Sequence, residues 1–376
     1  MTKQLEDKLQ QYVSHLHHHP EISWEEHETT NYLVKVLEEE GLSPKTFDEM
    51  TGLYVDIGAG EPKVGFRVDI DALWQEVDGE YQANHSCGHD GHMTVGLGVA
   101  ISLKEIENDL PYGVRIIFQP AEETGEGAKA ILATGIIEPL QYLFGMHVRP
   151  LVELELGTYA ATIEHGAGRM VTGEIIGTDA HGARPEQGTN AIEVASAIVE
   201  GMKRIWISPM DSASIKMTNL QAGGMSTNII PGTATFSIDI RAQKNEVMKQ
   251  LLKQFEKVID SVRTLYDVDI SYQFDTEIVA AQVDKEAKAC LEAAIKEVVG
   301  EDKLVASLVT PGGEDFHYYT YENPTLKATM LGLGCGVVPG LHHPDMTFDR
   351  SYLAPGVQIT LAAIKHALNS IESSDQ

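Results

Sequence analysis

Eight consecutive positions, His85-Ser86-Cys87-Gly88-His89-Asp90-Gly91-His92, hold three histidines, a cysteine and an aspartate in a chain with only three cysteines. Side chains two apart point the same way in extended or turn backbone, so Cys87 and His89 can reach one ion. Thiolate with imidazole favours zinc, with cobalt, nickel or manganese admitted by availability. The plain alternative is a histidine-rich surface loop in which Cys87 is a small core residue. No second C-x-x-C or H-x-x-x-H completes a site nearby, so the remaining ligands have to come from elsewhere in the chain.

Three strand ends offer them. The apolar run from Val64 ends in Asp69 and Asp71, and the run from Val114 leads through Gln119-Pro120-Ala121 into Glu122-Glu123. Phe144-Gly145-Met146 ends in His147, while Leu341-His342-His343-Pro344 reads only as an extended loop, since Pro344 keeps His343 out of a helix. Taken singly, these are turn residues, first-turn acids matched to a helix dipole, and a satisfied core histidine. His15, His17, His18 and His19 read as solvated or helix-end histidines, because consecutive helical side chains point in different directions.

The elements around these residues bring them together. Apolar spacing predicts a helix over 3–18 that Pro20 stops. Ser23-Trp24-Glu25-Glu26 reads as a capping box for a second helix to about 40, closed by Gly41. Runs at 53–57, 64–70, 114–118 and 142–148 read as strands, with helices near 92–106 and 126–134 between the later ones. This βαβ rhythm predicts a mixed, mostly parallel sheet with helices on both faces, in an α/β catalytic domain. Ligands bind beyond the carboxyl ends of such strands, where the aspartates, glutamates and His147 fall.

Between 169 and 277 the rhythm changes. A strand at 171–177, a helix at 190–205, strands at 214–220 and 234–240, a helix at 245–265 and a strand at 267–272 give the order βαββαβ. That order predicts an inserted ferredoxin-like α+β domain. Helices at 285–299 and 354–370 and an apolar run at 328–333 return to the first pattern. The expected organisation is a metal-binding domain of residues 1–168 and 278–376, interrupted by a dimerisation (lid) domain at 169–277.

At 376 residues, two domains are the natural division. A net charge of -28 argues against nucleic acid or an anionic membrane as partner. Cys87, Cys290 and Cys335 show no framework spacing and fit a reducing compartment. The N-terminal residues are charged and amphipathic without an apolar signal core, and no run approaches the ~20 apolar residues of a membrane span. A cytoplasmic location is expected.

The segments, in their order, resemble the M20 metallopeptidase family in its amidohydrolase branch, which includes hippurate and indole-acetyl-amino-acid hydrolases. The resemblance runs nearly end to end. It is carried by Leu16-His17-His18-His19-Pro20-Glu21, Arg67-Val68-Asp69-Ile70-Asp71-Ala72-Leu73, His85 to His92, Glu122-Glu123 and Gly145-Met146-His147. It continues through His181-Gly182-Ala183-Arg184-Pro185, Asn228-Ile229-Ile230-Pro231, Gly313-Glu314-Asp315-Phe316 and Leu341-His342-His343-Pro344. It implies two divalent ions per subunit, zinc or manganese with cobalt or nickel as alternatives, held by Cys87, His89, Glu123, His147 and His342. It implies Glu122 as general acid/base and a homodimer, or a tetramer, in which His181 reaches the partner's active site. Asn228 and Arg241 match positions that contact the substrate carbonyl or carboxylate. Arg67 stands where the wider family has a ligating histidine, which leaves Asp69 to orient a ligating histidine. Trp74 departs from the branch, which has proline there, and bears on acyl-group preference.

Such a site would attack the amide of an N-acyl-L-amino acid with a water bridging the two metals, Glu122 moving the proton. The competing readings are a dipeptidase or aminopeptidase and a catalytically silent scaffold of the same fold. A zinc-dependent base deaminase would require a Pro-Cys-x-x-Cys that the chain lacks.

Overall fold

The computed structural model describes residues 2–375. The first helix, Lys3–His17, buries Leu5, Leu9, Tyr12, Val13 and Leu16, and the Thr2 hydroxyl caps it by accepting from the Leu5 amide. The second, His27–Glu39, starts differently from the capping-box expectation. Glu21 caps it from outside, its carboxylate accepting from the amides of Glu28 and Thr29 at 3.1 and 2.7 Å. Ser23 instead donates to Asp71 at 2.7 Å. A longer acidic side chain two residues upstream thus takes the place of the serine.

The chain divides into two compact units, Met1–Glu164 with Gln282–Val309 and Asp315–Gln376, and His165–Ala281 with Thr310–Glu314. The first unit is built on an eight-stranded sheet. Its order is Lys45–Thr46, Leu53–Ile57, Gly113–Gln119, Pro62–Asp69, Tyr142–Pro150, Lys327–Val337, Tyr159–Ala160, Leu304–Val305. The four strands from Gly113–Gln119 to Lys327–Val337 run parallel. Gly113–Gln119 and Tyr142–Pro150 are buried at every position, as strands covered on both faces must be. The sheet is therefore mixed and mostly parallel, as its sequence rhythm predicts.

The helix His89–Glu105 is buried on nearly all sides. Gly96 lets it lie close on the sheet, since a Cβ there would stand 2.9 Å from side-chain atoms of Val68 and Phe118. Such a helix carries the residues at its start deep into the fold, beside the carboxyl ends of the parallel strands. Among the described residues no helix is long and apolar enough to cross a membrane.

The second unit follows the order βαββαβ. Its sheet runs Ala213–Ala222, Thr233–Ala242, Ala167–Ile176, Asp269–Ile278, with every neighbouring pair antiparallel. Helices Ala191–Met202 and Asn245–Tyr266 bury Val194, Ile198, Leu251 and Phe255 with Val171, Phe236 and Ile238 of the sheet. The last strand begins at Asp269 rather than 267, because Asp267 takes a left-handed conformation (φ 49°) and closes the preceding helix.

Candidate active site

Asp69, Gln119 and His147 lie toward the carboxyl ends of three adjacent parallel strands. Cys87 and His89 flank Gly88, which has φ +85° and whose Cβ, if present, would stand 2.5 Å from Val148 Cγ2. This left-handed residue turns the chain into the helix, so that Cys87 and the first helical residue converge. The helix begins at His89 rather than near 92, and the polar run His89-Asp90-Gly91 has no apolar periodicity by which its first turn could be read.

The convergence is close. Cys87 Sγ lies 3.5 Å from His147 Nε2, His89 Nε2 lies 3.9 Å from Glu123 Oε1, and His342 Nε2 lies 3.5 Å from the same Glu123 oxygen. Donors at ~2.0–2.3 Å from a tetrahedral ion stand roughly 3.3–3.8 Å apart. The donor atoms of Cys87, His89 and His147 all lie within 4.8 Å of one another, and so do those of Cys87, Glu123 and His342. Two triads thus share Cys87. Glu122 belongs to neither, but forms a third group with His89 and Glu123.

Hydrogen bonds set the histidines for ligation. His89 Nδ1 lies 2.8 Å from the Asp71 carbonyl oxygen, and His147 Nδ1 lies 2.6 Å from that of Val148. A carbonyl can only accept, so in each ring Nδ1 carries a proton; neutral His147 then presents a lone pair at Nε2, while in His89 Nε2 is the nitrogen whose proton an ion would displace. His89 Nε2 and Glu123 Oε1 are buried and have no hydrogen-bond partner among the described residues. Such orphaned atoms are costly unless something binds them, and a divalent cation fits both.

The electrostatics agree. Burial pushes the Cys87 thiol well up, and Glu123 and Glu122 push it further. Burial also raises Glu123 to about 7, against His89 and with Asp71. Burial opposes a charge on His89, but Asp69, Asp71 and Glu123 raise it to about 10. Crowded acidic groups that hold protons they would ordinarily lose mark a place for positive charge. Burial first, then His92 and Arg149, hold His147 well below its ordinary value, which keeps it a neutral donor.

A buried polar scaffold supports these groups. Besides His89, Asp71 accepts from Ser23 and, at 3.0 Å, from the Glu123 amide, so it fixes two of the converging residues at once. Asp69 stands 3.7 Å from His89 Nδ1, and its short bond, 2.6 Å, goes to His92 Nδ1. His92 Nε2 in turn accepts from the Val148 amide at 3.0 Å, so both of its nitrogens are engaged in the scaffold. Arg67, fully buried, donates to Asp69 at 2.8 Å, Gln119 at 2.8 Å and Asp315 at 2.6 Å. Asp315 also accepts from Gln119 and the Ala128 amide, while its own amide lies 3.4 Å from Glu122 Oε1. Sequence reasoning left Asp71 as a turn residue and gave no part to Gln119 or Asp315. An aspartate at a strand end reads equally as a turn former, and pairing across more than a hundred residues leaves no local signal.

His181, Asn228 and Arg241 belong to the second unit. Ala180–His181 pairs with Ile229–Ile230, and the Gly182 amide donates to the Asn228 carbonyl at 2.7 Å, so these two loops are joined. His181 Nδ1 accepts from the Ala183 amide at 3.1 Å, which leaves the proton of the neutral ring on Nε2 as a donor. Arg241 is held by Asp239 through Nε at 2.9 Å and Nη2 at 3.1 Å.

Residues 65–366 match the model of peptidase family M20/M25/M40. The chain is 30% identical to the N-acetyl-L-cysteine deacetylase of Bacillus subtilis over 390 residues, covering 98% of this chain and 90% of the relative. It is 30% identical to the IAA-amino acid hydrolase ILR1-like 4 of Arabidopsis thaliana, covering 82% of this chain and 73% of the relative. Among solved structures, a Bacillus subtilis protein described as a dinuclear metal-binding peptidase of the M20 family superposes with a TM-score of 0.82. It is 25% identical and covers 98% of this chain and 99% of its own.

Proposed function

The chain belongs to peptidase family M20/M25/M40 and is a metal-dependent amidohydrolase, and from that premise we propose that it hydrolyses the amide bond of N-acyl-L-amino acids. The observation that carries this reading is the pair of donor triads sharing Cys87, with a further carboxylate, Glu122, beside them and outside both. The relatives named for N-acetyl-L-cysteine and for IAA-amino acids support the substrate class, since both names describe an acylated amino acid.

Cys87, His89 and His147 would hold one ion, and Glu123 and His342 with Cys87 the other, zinc or manganese first, cobalt or nickel as alternatives. When bound, the ions polarise the amide carbonyl and acidify a water. Glu122 takes that water's proton and delivers it to the departing amine, its Oε1 steadied by the Asp315 amide. His181, with Nε2 as donor, supports the oxyanion, a role typically worth ~3 kcal/mol. In this reading the second unit forms a homodimer and His181 acts in the partner's site. Asn228 binds the substrate carbonyl, and Arg241 binds its carboxylate with a charge that Asp239 already shares.

The test is a panel of N-acetyl-, N-benzoyl- and indole-acetyl-amino acids beside dipeptides, assayed for free amine with metal-loaded protein. Turnover of the acylated amino acids well above the dipeptides is expected. Turnover of dipeptides alone would replace the reading with a dipeptidase.

A further inference from the structure

The converging residues are not held alike. Cys87, His89 and His147 are buried and Glu123 is 11% exposed, but the His342 side chain is 54% exposed. Core packing therefore cannot set its pose. Its backbone is also left-handed, with φ +64°, a conformation that residues other than glycine adopt at a cost. Something nearby has to hold it there.

The holding contacts come from the hairpin Leu73–Val77 and Glu80–Asn84. Gln75 Nε2 donates to the His342 carbonyl at 3.1 Å. Asn84 Nδ2 donates both to Gln75 Oε1 at 3.1 Å and to the Pro344 carbonyl at 2.9 Å. Just past the hairpin, the Ser86 carbonyl accepts from the His342 amide at 2.8 Å. The strand that leads to Cys87 thus grips the His342 loop on both sides of the histidine. Cross-strand pairing puts Trp74 and Tyr81 on the other face of the hairpin, where they are 59% and 65% exposed.

We propose that Gln75 and Asn84 are positioning residues for the second metal ion: this hairpin is a strap that keeps His342 in its ligating pose. The inference rests on the two-ion reading. It makes one ion's affinity depend on two side-chain amides that touch no ion, while the ion at Cys87, His89 and His147 is indifferent to them. Loss of a partner that orients a metal ligand typically weakens binding ~10–100-fold.

The test is titration of the chelator-treated, re-dialysed full-length protein with Mn2+, read from the free-ion electron paramagnetic resonance signal. Wild type should take two ions in resolvable steps, and His342→Ala should lose the weaker. Asn84→Asp, which replaces the donating amide by an acceptor, and Gln75→Ala should weaken that same step at least about tenfold and leave the first unchanged. Tyr81→Ala, on the opposite face, should bind as wild type. An unaltered weaker step in both Asn84→Asp and Gln75→Ala, or equal weakening of both steps, overturns the strap. A wild-type protein that takes a single ion overturns the two-ion reading and the strap with it.

Discussion

Sγ of Cys87 faces Nε2 of His147 across 3.5 Å, although 60 residues separate them in the chain. The Val148 carbonyl holds the proton on the other nitrogen of His147, so a lone pair is what meets the sulfur. Cys87 is also the residue common to both donor triads. Cys87→Ser exchanges a soft thiolate for a hydroxyl that stays protonated, so metal affinity should fall beyond the ~10–100-fold seen when a supporting partner is lost. Metal content measured by mass spectrometry after dialysis checks this. Full occupancy with normal activity would remove Cys87 from the site.

His317 gives a pH dependence of stability with a definite sign. Burial first, then the Arg67 charge, lower its pKa to about 3. The unfolded chain protonates this histidine below its ordinary value near 6.5, while the folded chain does not until about 3. The folded state is therefore at full stability above that ordinary value and loses stability as pH falls through the window. The loss approaches ~1.4 kcal/mol per pH unit once the unfolded histidine is charged. In urea denaturation, His317→Gln should lose roughly 1–2 kcal/mol less than wild type between about pH 7 and 5. Parallel pH profiles for the two proteins would contradict it.

The proposed homodimer, with His181 acting in the partner's site, predicts complementation. His181→Ala and Glu122→Gln homodimers should each be nearly inactive. After subunit exchange, hybrids combining an intact Glu122 in one subunit with an intact His181 from the other should recover activity, up to roughly one wild-type site per hybrid. Mass spectrometry of the intact dimers verifies exchange, and no recovery after verified exchange would place His181 outside the partner's site.

The legible part of this protein was whatever local pattern could reach. Alternating apolar runs and helices implied the parallel sheet, and the parallel sheet implied that Glu122, Glu123 and His147 meet the Cys87 loop at one edge. The βαββαβ order of the second unit was readable for the same reason, because each element carries its own periodicity. Asp71 was not readable, since its carbonyl, and not only its carboxylate, serves His89, and no residue type announces a backbone acceptor. Gln119 and Asp315 surround Arg67 through hydrogen bonds that exist only once three distant segments are packed. His17 reads as a solvated or helix-end histidine and is indeed the last residue of the first helix, but its pairing with Asp90, 2.8 Å from Nδ1 and 73 residues on, has no local signal. His342 has a positive φ and its loop is anchored on Ser86, Gln75 and Asn84, and the motif Leu-His-His-Pro encodes neither.

Glu122 decides the account most directly. Its carboxylate stands with His89 and Glu123 but outside both Cys87 triads, and the proposed function makes it the proton carrier. The measurement is kcat of Glu122→Gln on the best N-acyl amino acid of the panel, at a metal content verified equal to wild type. The predicted result is two ions retained and kcat reduced by ~10²–10⁴-fold. Wild-type turnover at equal metal content would contradict it, because the proton of the attacking water would then be moved by another group.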